Sequence, residues 1–326
     1  MPPRLYFARG INTPLTQRLN AWYDCTAKDN MKPPIEGTHL GRQTAYPTAH
    51  DPSLLVAVPR HENRLQYQLH DDSLPFVGMD VWHCWEAGFL TETGLPVVGI
   101  LKIMYPADST YLVESKSLKL YLNSLNNEKL GPSPADATQR YVALVQSNLS
   151  KCLNIGISAH FFSAPSGTSP DFSLYTLMDN RPEIARIAFR EYSEAPHLLT
   201  AAESEHPEER NSLKVCSHLL RSNCKITGQP DWGSVFISIA GNSVPAIPSL
   251  MQYLVSFRNE NHFHEEVCEM IYKRLWDLFS PGKLAVTCIY TRRGGIDICP
   301  VRASTPLLFP EYLVSPHHVS PKLPRQ

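Results

Sequence analysis

The sequence predicts an α+β fold in which a unit of two strands, two helices and two strands occurs twice. Two segments of similar sequence support the duplication, YLNSLNNE at 121–128 and YLVSFRNE at 253–260. Each of them precedes a longer helical pattern and then a strand. Apolar residues alternate where strands are expected and recur every three or four residues where helices are expected. This order favours antiparallel hairpins with paired helices covering one face of the sheet.

In the first half, a strand over residues 111–113 leads into a short helix that Ser115 or Ser117 is able to cap. The strand over residues 155–162 closes this half, and the range 164–171, which contains Pro, Ser and Gly, is the predicted connection to the second half. Between the short helix and that strand, a longer helix is predicted from apolar residues at helical spacing: Tyr141, Val142, Leu144, Val145 and Leu149.

In the second half, near-alternate apolar residues predict two strands around 213–219 and 235–239, with turn-forming residues between them. A long helix follows the short one and ends at residues 280–282, after which residues 284–290 form a strand. The buried face of the long helix is predicted from Phe263, Val267, Met270, Ile271, Leu275 and Leu278.

Composition sets the class of protein. The chain has 326 residues, of which 43% are hydrophobic and 19% charged, so it is long enough for two domains with their own cores. The net charge of −1 gives no electrostatic reason to expect binding to nucleic acid or to an anionic membrane. The longest apolar runs are too short to span a bilayer. Eight scattered cysteines without a C-x-x-C pair are typical of reduced thiols, and we expect a cytoplasmic protein.

Four regions are predicted from the distribution of these patterns. Residues 1–36 form an extension that is disordered or precedes the true start, because Met31 offers a second amino terminus. Residues 37–165 form an N-terminal module, and residues 166–314 form a C-terminal module. Residues 315–326, which are rich in Pro and His, form a poorly ordered tail.

The most informative segment is 222–233, because it places Cys224 and Asp231 on one turn-rich loop. A thiol can attack an electrophilic carbon, and a carboxyl group beside it can pass a proton to the neighbouring atom. The alternative is a buried cysteine next to an aspartate that forms the turn. Lys225, adjacent to the cysteine, is a candidate for stabilising the thiolate.

Three further segments carry groups that can bind a purine-like base or phosphates. In 114–121, Lys116 and Lys119 lie one helical turn apart and can contact phosphates, although a solvated lysine face is the alternative. In 261–266, a His-Glu pair can bind the edge of a base, and no third ligand at standard spacing supports a metal site. In 290–298, two arginines precede a Gly-Gly turn that suits phosphate contact, and a charged turn at a sheet edge is the alternative.

Together, these four segments resemble the 7-cyano-7-deazaguanine reductase family in its two-module form, over roughly residues 37–302. The resemblance implies two tunnelling-fold modules per chain, each with an antiparallel sheet covered by two helices. It also implies NADPH-dependent reduction of a nitrile to give 7-aminomethyl-7-deazaguanine, in the pathway to queuosine in tRNA. The chain is then expected to bind a small deazapurine, to form a homodimer, and to need neither a metal nor direct contact with nucleic acid.

The resemblance also implies a role for individual residues. Cys224 attacks the nitrile carbon to form a covalent thioimide, and Asp231 donates the proton. Lys225 departs from the family, which more often has an apolar residue or proline at this position. The implied substrate contacts are the backbone of Val113 and the side chains of Glu114, Ser115, His264 and Glu265, and the implied NADPH contacts are Ser115, Lys116, Lys119, Arg293 and Gly294.

Three other functions stay open for this sequence. A related tunnelling-fold enzyme captures the same nitrile through cysteine but adds ammonia to form an amidine, and it needs no NADPH. A non-catalytic module would bind a purine without turnover. A GTP cyclohydrolase would be expected to use a zinc site that the sequence does not clearly provide.

Overall fold

The computed structural model describes residues 47–167, 172–203 and 211–319. The predicted extension, 1–36, lies outside these residues, and so does the end of the predicted tail, 320–326. The helices are α1 (His61–Gln66), α2 (Ser115–Ser124), α3 (Pro134–Leu153), α4 (Ile247–Ser256), α5 (His264–Phe279) and α6 (Glu311–Val314). The strands are β1 (Ala57–Pro59), β2 (Val77–Leu90), β3 (Pro96–Pro106), β4 (Tyr111–Val113), β5 (Ser158–Phe162), β6 (Thr176–Leu177), β7 (Ser212–Cys224), β8 (Pro230–Ala240), β9 (Asn261–His262), β10 (Lys283–Tyr290) and β11 (Ile296–Ala303).

A nine-stranded sheet runs through both halves of the chain. Its antiparallel strands follow the order β5-β3-β2-β11-β10-β8-β7, and the short strands β6 and β9 each pair in parallel with β7. The halves meet at a seam where β2 pairs with β11, in unbroken register from Ile296 opposite Cys84 to Ala303 opposite Val77. The mixed α+β class predicted from the sequence is therefore confirmed.

The second half has the predicted order of elements, and the first half differs from it. Apart from the two-residue strand β9, the elements β7, β8, α4, α5, β10 and β11 follow one another as two strands, two helices and two strands. After β2, β3, α2 and α3, the first half adds β5 to the sheet, and the next described strand, β6, pairs with β7 instead. The prediction of a second closing strand in the first half is wrong. Pro165 comes soon after β5 and lacks the N–H group that a strand ladder needs.

Local sequence sets the ends of the long helices. Ser133 caps α3 by accepting a hydrogen bond from Asp136 N–H at its side-chain oxygen. α3 stops before Asn154 and α5 before Ser280, and both capping residues are left-handed, with φ of 54° and 44°. The helix predicted over 263–278 is confirmed as α5. Within the three described ranges, no helix has the length and apolar character needed to cross a bilayer.

Apolar side chains cover both faces of the sheet. On one face, α2 and α3 pack against strands of the first half and against the start of β11. On the other face, α6 and the ring of Phe172 cover the seam, and the rings of Phe172 and Phe236 stack with centroids 4.0 Å apart. The first cluster includes Trp82, Phe89, Leu101, Ile103, Tyr121, Tyr141 and Ile298, and the second includes Val81, Met104, Phe236, Ile289, Cys299 and Val301.

A buried ionic network crosses the seam. Arg302 of β11 donates from Nη1 to Asp80 Oδ1 of β2 at 2.8 Å and from Nη2 to Glu269 Oε1 of α5 at 2.9 Å. Arg64 of α1 donates from Nη2 to the same Glu269 oxygen at 2.7 Å, and Arg60 pairs with Asp80. Burial alone would raise the pKa of Glu269, but the three arginines lower it to about 2. These charges are compensated only while β2, β11 and α5 are together.

The first residues of the predicted tail are held in place, so the prediction of disorder for 315–326 is wrong for 315–319. The buried Lys102 ammonium donates to Ser315 O at 2.7 Å and to His318 O at 2.8 Å. Val319 is fully buried, and its backbone pairs with the segment that follows β5. A buried cation needs acceptors, and the carbonyl groups of this segment supply them.

Replacing Asp80 with Asn tests the ionic network. In Asp80→Asn, Arg60 and Arg302 each lose one of two buried counter-ions and keep only Glu269, so we expect the free energy of unfolding to fall by about 3–5 kcal/mol. Urea denaturation followed by circular dichroism measures this loss. The control is Glu92→Gln, which removes an exposed pair with Arg140 at 3.6 Å and should cost less than about 1 kcal/mol. Similar losses in the two variants would contradict the role of the network.

Candidate active site

A cleft opens between the two halves of the chain, over the seam. The loop after β7, the start of α2, the start of α5 and the turn between β10 and β11 contribute its walls. It has about 620 Å³ of empty space, part of which is open to solvent. The residues of the cleft that the sequence predicted are Val113, Ser115, Lys116, Lys119, Cys224, Asp231, His264, Glu265 and Arg293.

Cys224 lies at the end of β7, where backbone hydrogen bonds hold the loop that carries it. Its N–H donates to Gln229 O at 2.8 Å, and Gly228 N–H donates to Cys224 O at 2.9 Å. Gly228 has a φ of 66°, which glycine adopts readily and other residues rarely do. Cys224 also pairs with His262 of β9, which directly precedes α5. The half-buried thiol is thus held near the start of α5.

Asp231 lines the same cleft and pairs with Arg293. The Arg293 guanidinium donates from Nη1 to Asp231 Oδ1 and from Nη2 to Gln229 Oε1. Asp231 is only 2% exposed, so the ion pair compensates for the burial of its carboxylate. Arg293, which is predicted to contact NADPH, is therefore paired with Asp231, the predicted proton donor.

His264 lies beside this ion pair. Its Nε2 is 3.7 Å from Asp231 Oδ2, and its ring meets the ring of Tyr290 edge-on with centroids 4.0 Å apart. Burial, together with the cations Arg293 and Lys119, lowers the pKa of His264 to about 4, although the Asp231 carboxylate acts to raise it. The imidazole is therefore neutral at physiological pH. A neutral ring has one donor and one acceptor nitrogen, which suits binding to a heterocyclic base.

Two buried polar atoms of the cleft residues, Glu265 Oε1 and Trp82 Nε1, have no hydrogen-bond partner in the described part of the chain. Burial, together with the nearby Asp80, raises the pKa of Glu265 to about 8. The guanidinium groups of Arg60 and Arg302 oppose this shift. Buried polar groups in proteins are nearly always paired. Unpaired ones that line a cleft indicate where polar atoms of a ligand bind.

Glu114 is buried and is not part of the lining of the cleft. It is the N-cap of α2, and its Oε2 accepts a hydrogen bond from Ser117 N–H at 2.7 Å. The expectation that Ser115 or Ser117 caps this helix is therefore wrong. A carboxylate at a helix start binds N–H groups that the helix leaves unpaired. Burial raises the pKa of Glu114, and its contact with a substrate stays a prediction.

Three cations give the cleft a positive charge. Among the described residues, no carboxylate forms a salt bridge with the ammonium group of Lys116 or Lys119, and burial together with the neighbouring Arg293 lowers the pKa of Lys119. Gly294 and Gly295 form the adjacent turn with φ of 55° and 74°, and a Cβ on Gly294 would lie 3.0 Å from Lys119 Nζ. Cations beside the N–H groups of a glycine turn suit phosphate, so the residues present fit the predicted NADPH.

Lys225 has a different partner from the one that the sequence suggested. Its Nζ contacts Asn63 Oδ1 and lies 3.4 Å from both carboxylate oxygens of Glu266. Lys119, by contrast, lines the cleft together with Cys224, and the two attract each other electrostatically. The hypothesis that a lysine stabilises a thiolate at Cys224 therefore passes from Lys225 to Lys119, which shares the cleft with it.

The remaining residues of the cleft were not predicted from the sequence. Burial alone would lower the pKa of His262, but hydrogen bonds to the carboxylates of Glu260 and Glu266 raise it to about 9. For Trp82, Ile296 and Ile298, alternation along β2 and β11 shows which residues share a face, but only the pairing of these distant strands brings them under the cleft. The unpredicted residues are Trp82, His262, Phe263, Thr291, Ile296 and Ile298.

One group of three potential metal ligands occurs in the described ranges, and it lies outside the lining of the cleft. It consists of His83, Asp297 and Cys299. Asp297 Oδ1 is 2.7 Å from His83 Nδ1, and Asp297 Oδ2 accepts a hydrogen bond from Trp85 Nε1 at 2.6 Å. Both oxygens of this carboxylate therefore have protein partners.

Two family models match the chain. Residues 46–161 match the model described as "Nitrile reductase, 7-cyano-7-deazaguanine-reductase N-term". Residues 230–306 match the model described as "QueF-like protein". The first match contains the start of α2, and the second contains Asp231, the start of α5 and the glycine turn.

The chain is similar to curated bacterial proteins named NADPH-dependent 7-cyano-7-deazaguanine reductase. It is 37% identical over 277 residues to the protein of Acinetobacter baumannii, and the aligned region covers 83% of this chain and 94% of that relative. It is 39% identical over 287 residues to that of Acidovorax ebreus, which covers 85% and 96%. It is 40% identical over 271 residues to that of Cupriavidus metallidurans, which covers 82% and 94%.

The reactivity of Cys224 distinguishes the two lysines. In Lys119→Met, loss of the cation near the thiol should slow alkylation by iodoacetamide at neutral pH roughly two- to fivefold, because less thiolate is present. Lys225→Met is the matched control and should leave the rate unchanged, because the Lys225 ammonium is engaged by Glu266. Peptide mass spectrometry measures alkylation at Cys224. A slower reaction in Lys225→Met alone would contradict the assignment.

Proposed function

Because the chain belongs to the 7-cyano-7-deazaguanine reductase family, we propose that it reduces the nitrile of 7-cyano-7-deazaguanine to the amine of 7-aminomethyl-7-deazaguanine with NADPH. The chain is an oxidoreductase. The observation that carries the proposal is the cleft that Cys224, Asp231 and the unpaired oxygen of Glu265 share. Nitrile capture requires a nucleophile, a proton carrier and an acceptor that binds the base.

Covalent capture is proposed as the first step. The Cys224 thiolate attacks the nitrile carbon, one C–N π bond opens, and the nitrogen takes up a proton to give a thioimide. A nitrile is a poor hydride acceptor, and the thioimide carbon is far more electrophilic. When bound, NADPH supplies hydride, and one nitrile takes two hydrides to become an amine. Departure of the Cys224 thiolate between the two reductions leaves an imine.

The proton can come from the thiol itself. The Asp231 carboxylate can take the thiol proton and then deliver it to the nitrile nitrogen as the thioimide forms. Arg293 pairs with this carboxylate before the transfer, and His264 stays neutral beside it. Asp231 would thus act first as a base and then as the predicted proton donor, so the step balances without a further acid.

Substrate and cofactor are proposed to bind at the two helix starts. The start of α5 presents His264 and Glu265 to the base, and Glu265 Oε1 is available to accept from its N–H groups. The start of α2 contributes the backbone of Val113 together with Glu114 and Ser115. The phosphates of NADPH are proposed to contact Ser115, Lys116, Lys119, Arg293 and Gly294, and no step of this chemistry needs a metal.

Wider proposals follow from membership of the family. Residues 37–165 and 166–314 are proposed to be two tunnelling-fold modules, and the chain is proposed to act as a homodimer in the cytoplasm. Its product is proposed to enter the pathway to queuosine in tRNA. Since the substrate is a free base, the reaction itself requires no contact with nucleic acid.

Mass spectrometry of the intact chain tests covalent capture. With 7-cyano-7-deazaguanine and no NADPH, we expect the parent chain to gain the mass of one substrate and Cys224→Ala to gain nothing. Addition of NADPH should remove the adduct and consume nicotinamide absorbance at ~340 nm. Cys216→Ala is the matched control and should keep the adduct, because Cys216 lies on the opposite face of the sheet.

Other outcomes of the same experiment would assign a different function. An adduct that gives an amidine with ammonia, and that leaves NADPH unconsumed, would place the chain with the amidine-forming enzymes. Binding of the substrate without any adduct would make it a purine-binding module.

Glu265 predicts a pH dependence of substrate binding. N–H donors of the substrate favour the carboxylate, so binding lowers the pKa of Glu265 from about 8 and releases a proton below that pH. Affinity should therefore rise with pH up to about 8 and level off above it. Calorimetry with Cys224→Ala, in buffers of different ionisation enthalpy, measures both the affinity and the proton release. Adding Glu265→Gln should weaken binding and abolish the pH dependence. In Cys224→Ala alone, an affinity that does not change with pH would contradict this role of Glu265.

A further inference from the structure

Trp82 is buried in the seam and lines the cleft. Its Cα lies opposite Ile298 of β11 and Ile103 of β3. The side chain is 1% exposed and belongs to the apolar cluster that α2 and α3 cover, with Val113 and Leu118 among its members. A large ring packed between central strands and helices has little room to move, so the indole is a fixed part of the cleft.

The indole N–H of Trp82 has no acceptor among the described residues. An indole nitrogen can only donate a hydrogen bond, and a buried donor without a partner costs about 1–3 kcal/mol. Phenylalanine would fill an apolar wall without this cost. Trp85, three residues further on, does have an acceptor, because its Nε1–H donates to Asp297 Oδ2 at 2.6 Å. The unpaired N–H of Trp82 therefore indicates an acceptor that a ligand supplies.

We propose that Trp82 is a specificity-determining residue whose indole N–H donates to the 6-oxo oxygen of the deazaguanine, an inference that rests on the proposed function. A guanine-like base carries this oxygen beside its N–H donors. Binding of those donors favours the ionised form of Glu265, which has the other unpaired atom of the cleft, and a carboxylate can only accept hydrogen bonds. The oxygen is left for a donor, and Trp82 Nε1 is an unpaired donor in the same cleft.

The same contact explains how the cleft would reject an adenine-like base. An amino group in place of the oxygen would set two N–H donors against each other, and neither would gain a hydrogen bond. Sites that hydrogen-bond one polar group discriminate strongly against analogues without it, because a buried group is then left unpaired. Trp82 would thus select the oxo form of the ring, whereas Cys224 acts on the nitrile.

The test compares two ligands in two chains. In Cys224→Ala, which cannot form the adduct, calorimetry gives the Kd of 7-cyano-7-deazaguanine and of 2-amino-7-cyano-7-deazapurine, which lacks the 6-oxygen. Loss of the oxygen, which also removes the N1–H of the ring, should weaken binding by tenfold or more, and Trp82→Phe should weaken binding of the oxo ligand about tenfold. The ligand without the oxygen should bind equally well with and without Trp82→Phe, because it has no 6-oxygen for the indole N–H to contact.

A control variant and a spectroscopic signal accompany this comparison. Trp276→Phe is the control, because the Trp276 indole stacks on Tyr272 with centroids 5.8 Å apart and does not line the cleft; neither Kd should change. With ¹⁵N-labelled tryptophan, the Trp82 indole N–H signal is identified by elimination with Phe variants of the other tryptophans. It should move downfield with the oxo ligand alone. Since this signal is read with Trp82 present, it decides the question even if Trp82→Phe folds poorly.

Two results would overturn the inference. Equal weakening of both ligands by Trp82→Phe would mean that the indole contributes packing alone. An unshifted Trp82 signal with the oxo ligand bound would mean that no hydrogen bond forms. Failure of the proposed function looks different, because it is read from the parent chain: no adduct would form with 7-cyano-7-deazaguanine, or the adduct would leave NADPH unconsumed.

Discussion

The pairing of β2 with β11 is the contact on which the rest of the described structure depends. It joins strands from the two halves of the chain, and Arg302, Asp80 and Glu269 secure it with charges that would be costly to bury singly. Through this pairing, the start of α2 from one half faces the Cys224 loop and the start of α5 from the other. Each half holds only part of the cleft, so neither half can carry out the proposed chemistry by itself.

Burial shifts the pKa values of His264 and Glu265 in opposite directions, and these shifts determine the charges of the two groups. It lowers the pKa of His264 to about 4 and raises that of Glu265 to about 8, and both shifts favour the neutral form. Lys119 and Arg293 supply positive charge, and Arg293 shares it with Asp231. The cleft therefore combines neutral polar groups that suit a heterocycle with cations that suit phosphate. The same cations lie near the nucleophile and the proton carrier, so cofactor binding and capture of the nitrile use one electrostatic environment.

Three glutamates of α5 show how tertiary contacts give one residue type different roles. Glu269 accepts hydrogen bonds from arginines of the ionic network, and Glu266 contacts Lys225, His262 and the N–H of Phe263. Glu265, adjacent to Glu266 in sequence, keeps one oxygen unpaired. Successive residues of a helix point about 100° apart, so these neighbours meet different surroundings. Only Glu265 lines the cleft, and its unpaired oxygen is left for a ligand.

The sequence by itself determined the α+β class, the order of the main elements in the second half, and the hairpin that carries Cys224 and Asp231, although both residues lie at strand ends rather than in its loop. These features depend on alternation, helical spacing and turn residues, which act between near neighbours in the chain. The motif segments also contained most of the predicted cleft residues. Only the tertiary structure decided that β6 pairs with β7, that Lys225 is engaged by Glu266, and that Trp82 lies under the cleft. These outcomes depend on which distant strands pair and which polar groups are buried, and the local pattern of a segment specifies neither.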